Sequence, residues 1–367
     1  MSDFGRLATF DSVLVTVTAE DGLRGHGEAR PAVGSSGAGG SIVTLVEQEL
    51  RPLLLGQDAR EVTRLWEVMY SGVRATYALA RGRPFPILGR RGVTMCAISG
   101  VDLALWDLLG KSLGVPVYQL LGGRCRERLP AYASGGWADV AGIGPQLAGY
   151  RARGGFRAVK MRVGVMDGDV ATSVARVRAA RAHLGPEVDI MVDAHGTFSP
   201  RDAHRFARGV EDCDLAWFEE PVGPDDRAAM AEVRAATDIP IAAGESEFTR
   251  FDFRDLIAAR AVDILQPDLG ICGGLTEARR IAALAEAHGL TLAPHLWGGA
   301  LVFAAGLHLA AASPSATIVE YSLGHNPLLH ELAEERFEVR DGTIAIPDRP
   351  GLGVTVRDEF VRQCSVQ

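Results

Sequence analysis

From about Ala131 the chain alternates short β-rich runs with helical stretches: "LPAYAS", "FRAVKMR", "VDIMVDA", "AWFEEP", "IPIAAGE", "VDILQPD", "LTLAPH" and "TIVEYS". Strands separated by helices default to a parallel sheet, and eight such units favour a closed barrel over an open sheet. The regular spacing is a repeat of architecture, since the residues themselves do not repeat.

Other segments flank this pattern. Residues 10–28 read as a hairpin, "SVLVTVTA" and "LRGHGEA" around "EDG", whose Asp-Gly suits positive φ. "GSSGAGG" reads as a loop, and three helical patterns follow: "SIVTLVEQELRPLL", "AREVTRLWEVMYSG" and "VTMCAISGVDLALWDLLGKSLG". The last is expected to stop at Gly114, ahead of Pro116. After Tyr321 the alternation ends, and "FEVRDGTIAIPDRPGLGV" reads as a hairpin-like piece that joins the N-terminal domain. A chain of 367 residues has room for one large domain and a smaller one.

Composition excludes some classes. A net charge of −8 argues against bulk binding to nucleic acid or acidic lipid, while leaving room for a local basic pocket. The five cysteines are scattered without a CxxC pair, as in a reduced cytosolic protein. "MSDFGRLATFDS" lacks the apolar core of a signal peptide. The apolar stretch from Gly298 to Ala312, read as the longest, is interrupted by His308 and too short to span a bilayer. A cytoplasmic protein with no membrane partner is expected.

Chemistry gathers at the strand ends. In "FRAVKMRVG" two cations, Lys160 and Arg162, stand two residues apart and so share a face, among neighbours that look buried. The next strands end in Asp193, Glu219, Glu245, Asp268, His295 and Glu320, at intervals from Lys160 of 33, 26, 26, 23, 27 and 25 residues. That is about one strand–helix unit each, and in a barrel the C-terminal strand ends form one mouth. Any single carboxylate is as well explained by a separate Lys or Arg partner. Asp193, Glu219 and Glu245 on successive strands need a shared counter-charge, and a hard divalent cation such as Mg²⁺ suits oxygen ligands. Asp268 and His295 end neighbouring strands, where a carboxylate–imidazole hydrogen bond would fix the tautomer and raise basicity.

The set "VKMR", "VDAHG", "WFEEP", "AAGE", "DILQPDLGICGG" and "PHLWG", with "VDLALWDLLGKSLGVPVYQLLGG" ahead of the barrel, resembles the enolase superfamily in its mandelate racemase and muconate-lactonizing group. The resemblance implies an α/β fold. An N-terminal α+β capping domain (1–125) would cover a modified TIM barrel, (β/α)7β (126–322), with a C-terminal segment (323–367) returning to the cap. It implies one Mg²⁺ per subunit on Asp193, Glu219 and Glu245, a small anionic substrate and a homo-oligomer, dimer or octamer. Chemistry in the group begins with removal of a proton α to a carboxylate.

Three departures shape the expectation. Most relatives carry Lys-x-Lys where this chain has Lys160-x-Arg162, and a guanidinium is a poor base. Arg162 is therefore expected to orient substrate, His295 to take the proton with Asp268 behind it, and Lys160 or Arg162 to remain in play only as a second base. "DAHG" puts His195 where some sugar-acid dehydratases have a histidine that protonates the departing hydroxyl, the alternative being a histidine that only hydrogen-bonds. Fewer residues precede "SVLVTVTA" than in relatives, so either a capping strand is missing or the chain starts upstream. Trp297, Arg162 and Glu320 are expected to line the substrate space. The loop "EARPAVGSSGAGG" and the segment "ARGRPFPILGRRG" are candidate specificity elements; Arg81, Arg83, Arg90 and Arg91 either meet an acidic substrate or form an exposed solvated cluster. The leading expectation is dehydration of an aldonate or aldarate to a 2-keto-3-deoxy acid. A cycloisomerase of a sugar lactone or anhydro-sugar acid comes next, then a racemase or epimerase. A non-catalytic sugar-acid sensor is opposed by the complete acid–base set.

Overall fold

The computed structural model describes residues 11–31 and 39–365. Residues 1–10 and 32–38, which include the chain start and most of the glycine-rich loop read above, lie outside them. β1 (Val13–Thr18) and β2 (Arg24–Ala29) pair antiparallel, as the hairpin reading expects. Gly39 and Gly40, read as the end of a loop, instead open the helix Gly39–Leu45.

Gly25 and Gly27 share one face of β2, and that face lies on the helix Val93–Leu113. A Cβ at Gly27 would stand 2.0 Å from the carbonyl oxygen of Gly100, and one at Gly25 2.1 Å from that of Ala104. Only glycine lets this strand backbone rest on the helix backbone. The helix stops as expected, with Gly114 at φ 69° and the Val115 N–H donating to the Gly110 carbonyl. It is also a correction: at 21 residues it is longer than the 298–312 stretch and apolar enough to cross a membrane by length and composition. In this fold 83% of its most apolar window is buried, which makes it a core helix.

Two buried aspartates on that helix fasten its neighbours. Asp102 accepts from the Thr276 N–H (2.9 Å) and hydroxyl (2.6 Å), at the start of the helix Gly274–His288. Asp107 accepts from the His26 N–H (2.8 Å), Lys111 Nζ (2.6 Å) and the Leu352 N–H (2.9 Å). The capping hairpin and the C-terminal segment thus meet on one carboxylate.

The barrel strands are β3 (Arg128–Gly135), β4 (Ala158–Arg162), β5 (Asp189–Asp193), β6 (Leu215–Glu219), β7 (Ile241–Ala243), β8 (Ile264–Leu265), β9 (Thr291–Leu292) and β10 (Val319–Ser322). They bond in parallel from β3 to β9. β10 returns to β3 with Val319 opposite Ala131, and a bridge from Leu292 to Ala316 closes the ring. A helix follows each of the first seven strands, giving (β/α)7β. Along β4, Val159 and Met161 join the main core beneath the helices, while Ala158 joins Tyr132, Met191, Trp217, Ala242, Ile264 and Ala293 in a separate apolar layer. Lys160 and Arg162 continue the Ala158 face inward, above that layer.

The C-terminal hairpin, β11 (Val339–Arg340) and β12 (Thr343–Ala345), adds antiparallel to β3, Thr343 opposite Pro130. It extends the barrel sheet, and it is the residues beyond it, Gly351 and Leu352, that reach Pro116 and Asp107 of the cap.

His308 shows how tightly that segment is held. It is the one ionisable side chain in the helix Ala300–Ala312 and is fully buried. Its Nδ1 accepts from the Tyr118 N–H and its Nε2 meets the Leu352 carbonyl, both at 3.2 Å, which defines the neutral Nε2–H tautomer. Burial pulls its pKa from 6.5 down to about 4. An unfolded chain takes up this proton near pH 6.5 and the native one only near 4. The stability is therefore complete above pH 6.5 and drains as pH falls toward 4, by about 3 kcal/mol. Denaturant titrations at pH 7 and pH 4 are expected to show that fall, and His308→Gln to make it shallower.

Candidate active site

Lys160, 3% exposed, puts Nζ 2.7 Å from Glu219 Oε1, 3.2 Å from Glu320 Oε1 and 3.6 Å from Asp193 Oδ2. It also lies over the Tyr132 ring, 5.4 Å from the centroid. Arg162, two residues on, pairs through Nη1 with Asp193 Oδ2 and stacks over Trp137 at 5.5 Å. Glu219 also accepts from Trp217 Nε1 at 3.0 Å. The adjacent cations thus share Asp193, while Glu219 and Glu320 serve Lys160 alone.

Beyond β5 the chain turns on itself. Asp193 Oδ1 accepts the His195 N–H at 2.9 Å, an Asx-type turn, and His195 takes φ 52°, uncommon for a non-glycine residue. The turn swings the imidazole over the mouth, where Nε2 lies 2.9 Å from Glu245 Oε1. From another side His295 Nε2 lies 3.4 Å from Glu245 Oε2 and 3.9 Å from Glu320 Oε2. His295 Nδ1 is 2.7 Å from Asp268 Oδ2, so Nδ1 carries the hydrogen and Nε2 faces the mouth. Glu320 is the second residue of β10, not its end, and accepts the Leu296 N–H at 3.0 Å.

The electrostatics follow from burial and crowding. Burial opposes the charge on Lys160, but Glu219 and Glu320 outweigh it and hold its pKa well above the usual value. Burial lifts Glu219 to about 7 even against Lys160, because Asp193 and Glu245 crowd the same space. Glu320 overcomes its burial through Lys160 and His295 and falls to about 2. Glu245 is likewise held well below the carboxylate range by His295 and His195. Burial works against a charged His295, yet Glu245, Glu320 and Asp268 raise it to about 9.

Asp193, Glu219 and Glu245 each offer an oxygen within 4.8 Å of the others. Glu245 Oε2 is buried and accepts no hydrogen bond. An all-oxygen set with an unsatisfied buried acceptor fits a hard divalent cation. His195, Glu220 and Glu245 form a second, mixed group of the same span.

The residues named from the sequence therefore converge: Lys160, Arg162, Asp193, His195, Glu219, Glu245, Asp268, His295 and Glu320 form one connected cluster. Trp297 joins its edge beneath Arg30, 5.6 Å from ring centroid to Cζ. The arginine cluster does not come in as a unit. Arg90 pairs with Glu49, Arg91 with Asp252 (2.8 Å), and Arg81 stacks on Tyr77 (3.7 Å). Sequence reasoning missed Glu220, whose buried Oε1 has no hydrogen-bond partner and whose pKa burial and Glu245 push well up. It also missed Arg30, which salt-bridges Asp268 at 2.5 Å. The first had a signal in the paired glutamates of "WFEEP". The second lay in the loop "EARPAVGSSGAGG", read as a candidate specificity element, where nothing singled out the arginine.

A capped (β/α)7β barrel with three carboxylates on successive strands and an Asp–His pair across the mouth defines an enzyme of the enolase superfamily. The chain belongs to the mandelate racemase / muconate lactonizing enzyme family. Residues 3–122 match that family's N-terminal domain, and residues 144–360 match the family described as enolase C-terminal domain-like. It is 37% identical over 367 residues to D-galactonate dehydratase of Verminephrobacter eiseniae, covering 96% of this chain and 91% of the relative. It is 35% identical over 364 residues to D-galactarolactone cycloisomerase of Agrobacterium fabrum, covering 96% and 90%. Among solved structures it is similar to a racemase from Streptomyces coelicolor A3(2) with bound magnesium. That match has TM-score 0.85 and 34% identity over 97% of this chain and 92% of the other.

The buried cation gives a test of the site's charge balance. Lys160→Met leaves Glu219 and Glu320 without it and is expected to cost the metal-free protein about 3–5 kcal/mol, as breaking a buried pair from one side does. Denaturant titration in EDTA reads that loss, and millimolar Mg²⁺ is expected to recover part of it.

Proposed function

We propose that this enzyme is a Mg²⁺-dependent dehydratase of an aldonate or aldarate, removing the C2 proton and the C3 hydroxyl to leave a 2-keto-3-deoxy acid. The observation that carries the reading is that two imidazoles, His195 at 2.9 Å and His295 at 3.4 Å, approach the same carboxylate, Glu245, from different strands. Elimination of water needs both a base and an acid at one substrate, and this arrangement supplies both.

Asp193, Glu219 and Glu245 would hold Mg²⁺, which would supply positive charge against the substrate carboxylate and offset the Glu245 charge that otherwise keeps a proton on His295. His295 accepts the C2 proton at Nε2 while its Nδ1–H stays on Asp268. His195 gives a proton to the C3 hydroxyl, which leaves as water, and the enol becomes the keto acid. Arg162 keeps its proton and orients the substrate carboxylate, with Trp297 and Glu320 beside it. Lys160 stays charged between Glu219 and Glu320, which suits it to hold the anionic substrate and not to act as a base.

A second reading, cycloisomerisation of a sugar lactone or anhydro-sugar acid, is favoured by the identity to the D-galactarolactone cycloisomerase, 35% over 96% of this chain. There the leaving group is a ring oxygen and no water is lost. Racemisation is less supported, since Arg162 replaces the second base. We further propose a cytoplasmic enzyme, in keeping with five cysteines scattered without a CxxC pair, and a homo-oligomer on the family resemblance.

Screening the protein with Mg²⁺ against aldonates, aldarates and their lactones, with semicarbazide detection, is expected to give a keto product lighter than substrate by one water. An isobaric product would establish cycloisomerisation instead. With the substrate in hand, His295→Asn is expected to abolish both turnover and C2 hydrogen exchange in D₂O. His195→Asn is expected to lower product formation by about 10²–10⁴-fold while exchange persists. If His195→Asn leaves the dehydration rate unchanged, the acid role is wrong.

A further inference from the structure

The capping hairpin sends a cation into the barrel mouth. Arg30 directly follows β2, and its side chain is only 4% exposed. Its Nη1 donates to Asp268 Oδ2 at 2.5 Å, the oxygen that also receives His295 Nδ1 at 2.7 Å. The other oxygen of Asp268 accepts the Gly270 N–H at 2.7 Å. Three donors on three sides leave this carboxylate no freedom to rotate.

The path of the arginine is built to measure. Its stem runs between two glycines on different loops. A Cβ at Gly270 would stand 3.3 Å from Arg30 Cγ, and one at Gly298 3.2 Å from Arg30 Cδ. The Arg30 N–H donates to the Gly270 carbonyl at 3.4 Å, and the guanidinium lies over Trp297. Two residues earlier, buried Glu28 accepts the N–H groups of Gly299 (2.8 Å) and Val302 (3.3 Å). One short stretch at the exit of β2 therefore grips the loops after β8 and β9. Those loops carry Asp268 and His295 past the ends of their strands at Leu265 and Leu292.

We infer that Arg30 is a positioning residue for the base: by sharing Asp268 Oδ2 with the imidazole it fixes the carboxylate, and through it the direction in which His295 presents Nε2. Docking of the capping domain and orientation of the base are then one event. The effect on turnover rests on the proposed role of His295 as base; the effect on the Asp268–His295 hydrogen bond does not.

The test reads both. In full-length, metal-free protein labelled with ¹⁵N-histidine, the His295 Nδ1–H is expected as a slowly exchanging low-field resonance, assigned by its loss in His295→Asn. Arg30→Gln is expected to speed its exchange with water at least tenfold and to lower kcat about 10–100-fold with KM nearly unchanged, the range for residues that orient an active group. An unchanged exchange rate in Arg30→Gln, or absence of the resonance from the unsubstituted protein, would overturn the proposal. If circular dichroism shows Arg30→Gln unfolded, Arg30→Lys carries the test. An ammonium cannot reproduce the planar fork, so exchange is expected to quicken several-fold, and a rate equal to that of the unsubstituted protein overturns the role. A chain that turns over no sugar acid yet shows the exchange difference would defeat the functional reading and leave Arg30 in place.

Discussion

A single buried ammonium sets the terms for the barrel mouth. Lys160 points inward because β4 alternates, and once there it is 3% exposed, where an unpaired charge would be far too costly to keep. Glu219, Glu320 and Asp193 answer it, and Arg162 shares Asp193. Count the fixed charges: Asp193, Glu219, Glu245 and Glu320 against Lys160 and Arg162. With the imidazoles left aside, carboxyl groups outnumber cations by two, an excess that a divalent cation would suit; burial and the crowding of Asp193 and Glu245 raise Glu219 to about 7, and Oε2 of Glu245 is left without a hydrogen bond. Asp268 drops out of this count because Arg30 balances it separately. The site thus consists of one Arg–Asp unit behind His295 and one carboxylate-rich cluster in front of it.

How much of this could be read in advance depended on how each contact is encoded. Barrel topology converts a strand–helix period into a common mouth, so residues spaced along the whole barrel were legible from interval and chemical type alone. The side-chain period of two gave the inward face of Lys160 and Arg162. Arg30 was not legible, because its partner Asp268 lies 238 residues away in another domain and only the docking of cap on barrel brings them together. Glu220 was quoted within its motif and passed over, since two adjacent glutamates on a strand end would ordinarily face opposite ways. Its φ of 39° breaks that rule and turns the carboxyl toward His195 and Glu245.

Strand lengths were misjudged for a related reason. β8 and β9 are two residues each, so Asp268 and His295 lie beyond the continuous strands, joined to each other by one isolated parallel bridge. A barrel strand can be that short when its neighbours and the helices outside it supply the burial. Loops alone hold side chains less closely than strands do, and on the dehydratase reading proton transfer needs tight alignment. The structure meets that need from outside the barrel, through Glu28 on Gly299 and Arg30 on Asp268. The glycines of β2 serve the same end, because the close contact with the helix Val93–Leu113 is what brings the exit of β2 down to the mouth.

The two histidines differ in how they are held, and the difference fits a division of labour. In the ring of eight strands β5 and β9 are third and seventh, on opposite sides. His195 and His295 therefore face each other across the mouth, with Glu245 between them. His295 is backed by Asp268, Arg30 and two pinned loops, a rigid mount suited to taking a proton from carbon, where alignment governs the barrier. His195 rides on a left-handed turn within the barrel itself, its N–H on Asp193 and the next N–H groups, of Gly196 and Thr197, on the Glu220 and Ala194 carbonyls, with no contact from the capping hairpin named above. On the dehydratase reading, the proton and the hydroxyl would then leave from opposite faces of the substrate, and the product would be fixed by which sugar epimer presents its C3 oxygen to His195. Specificity among sugar acids would in that case reside less in the charged cluster, which any α-hydroxy acid can satisfy, than in the capping residues that decide how the carbon chain lies between the two imidazoles.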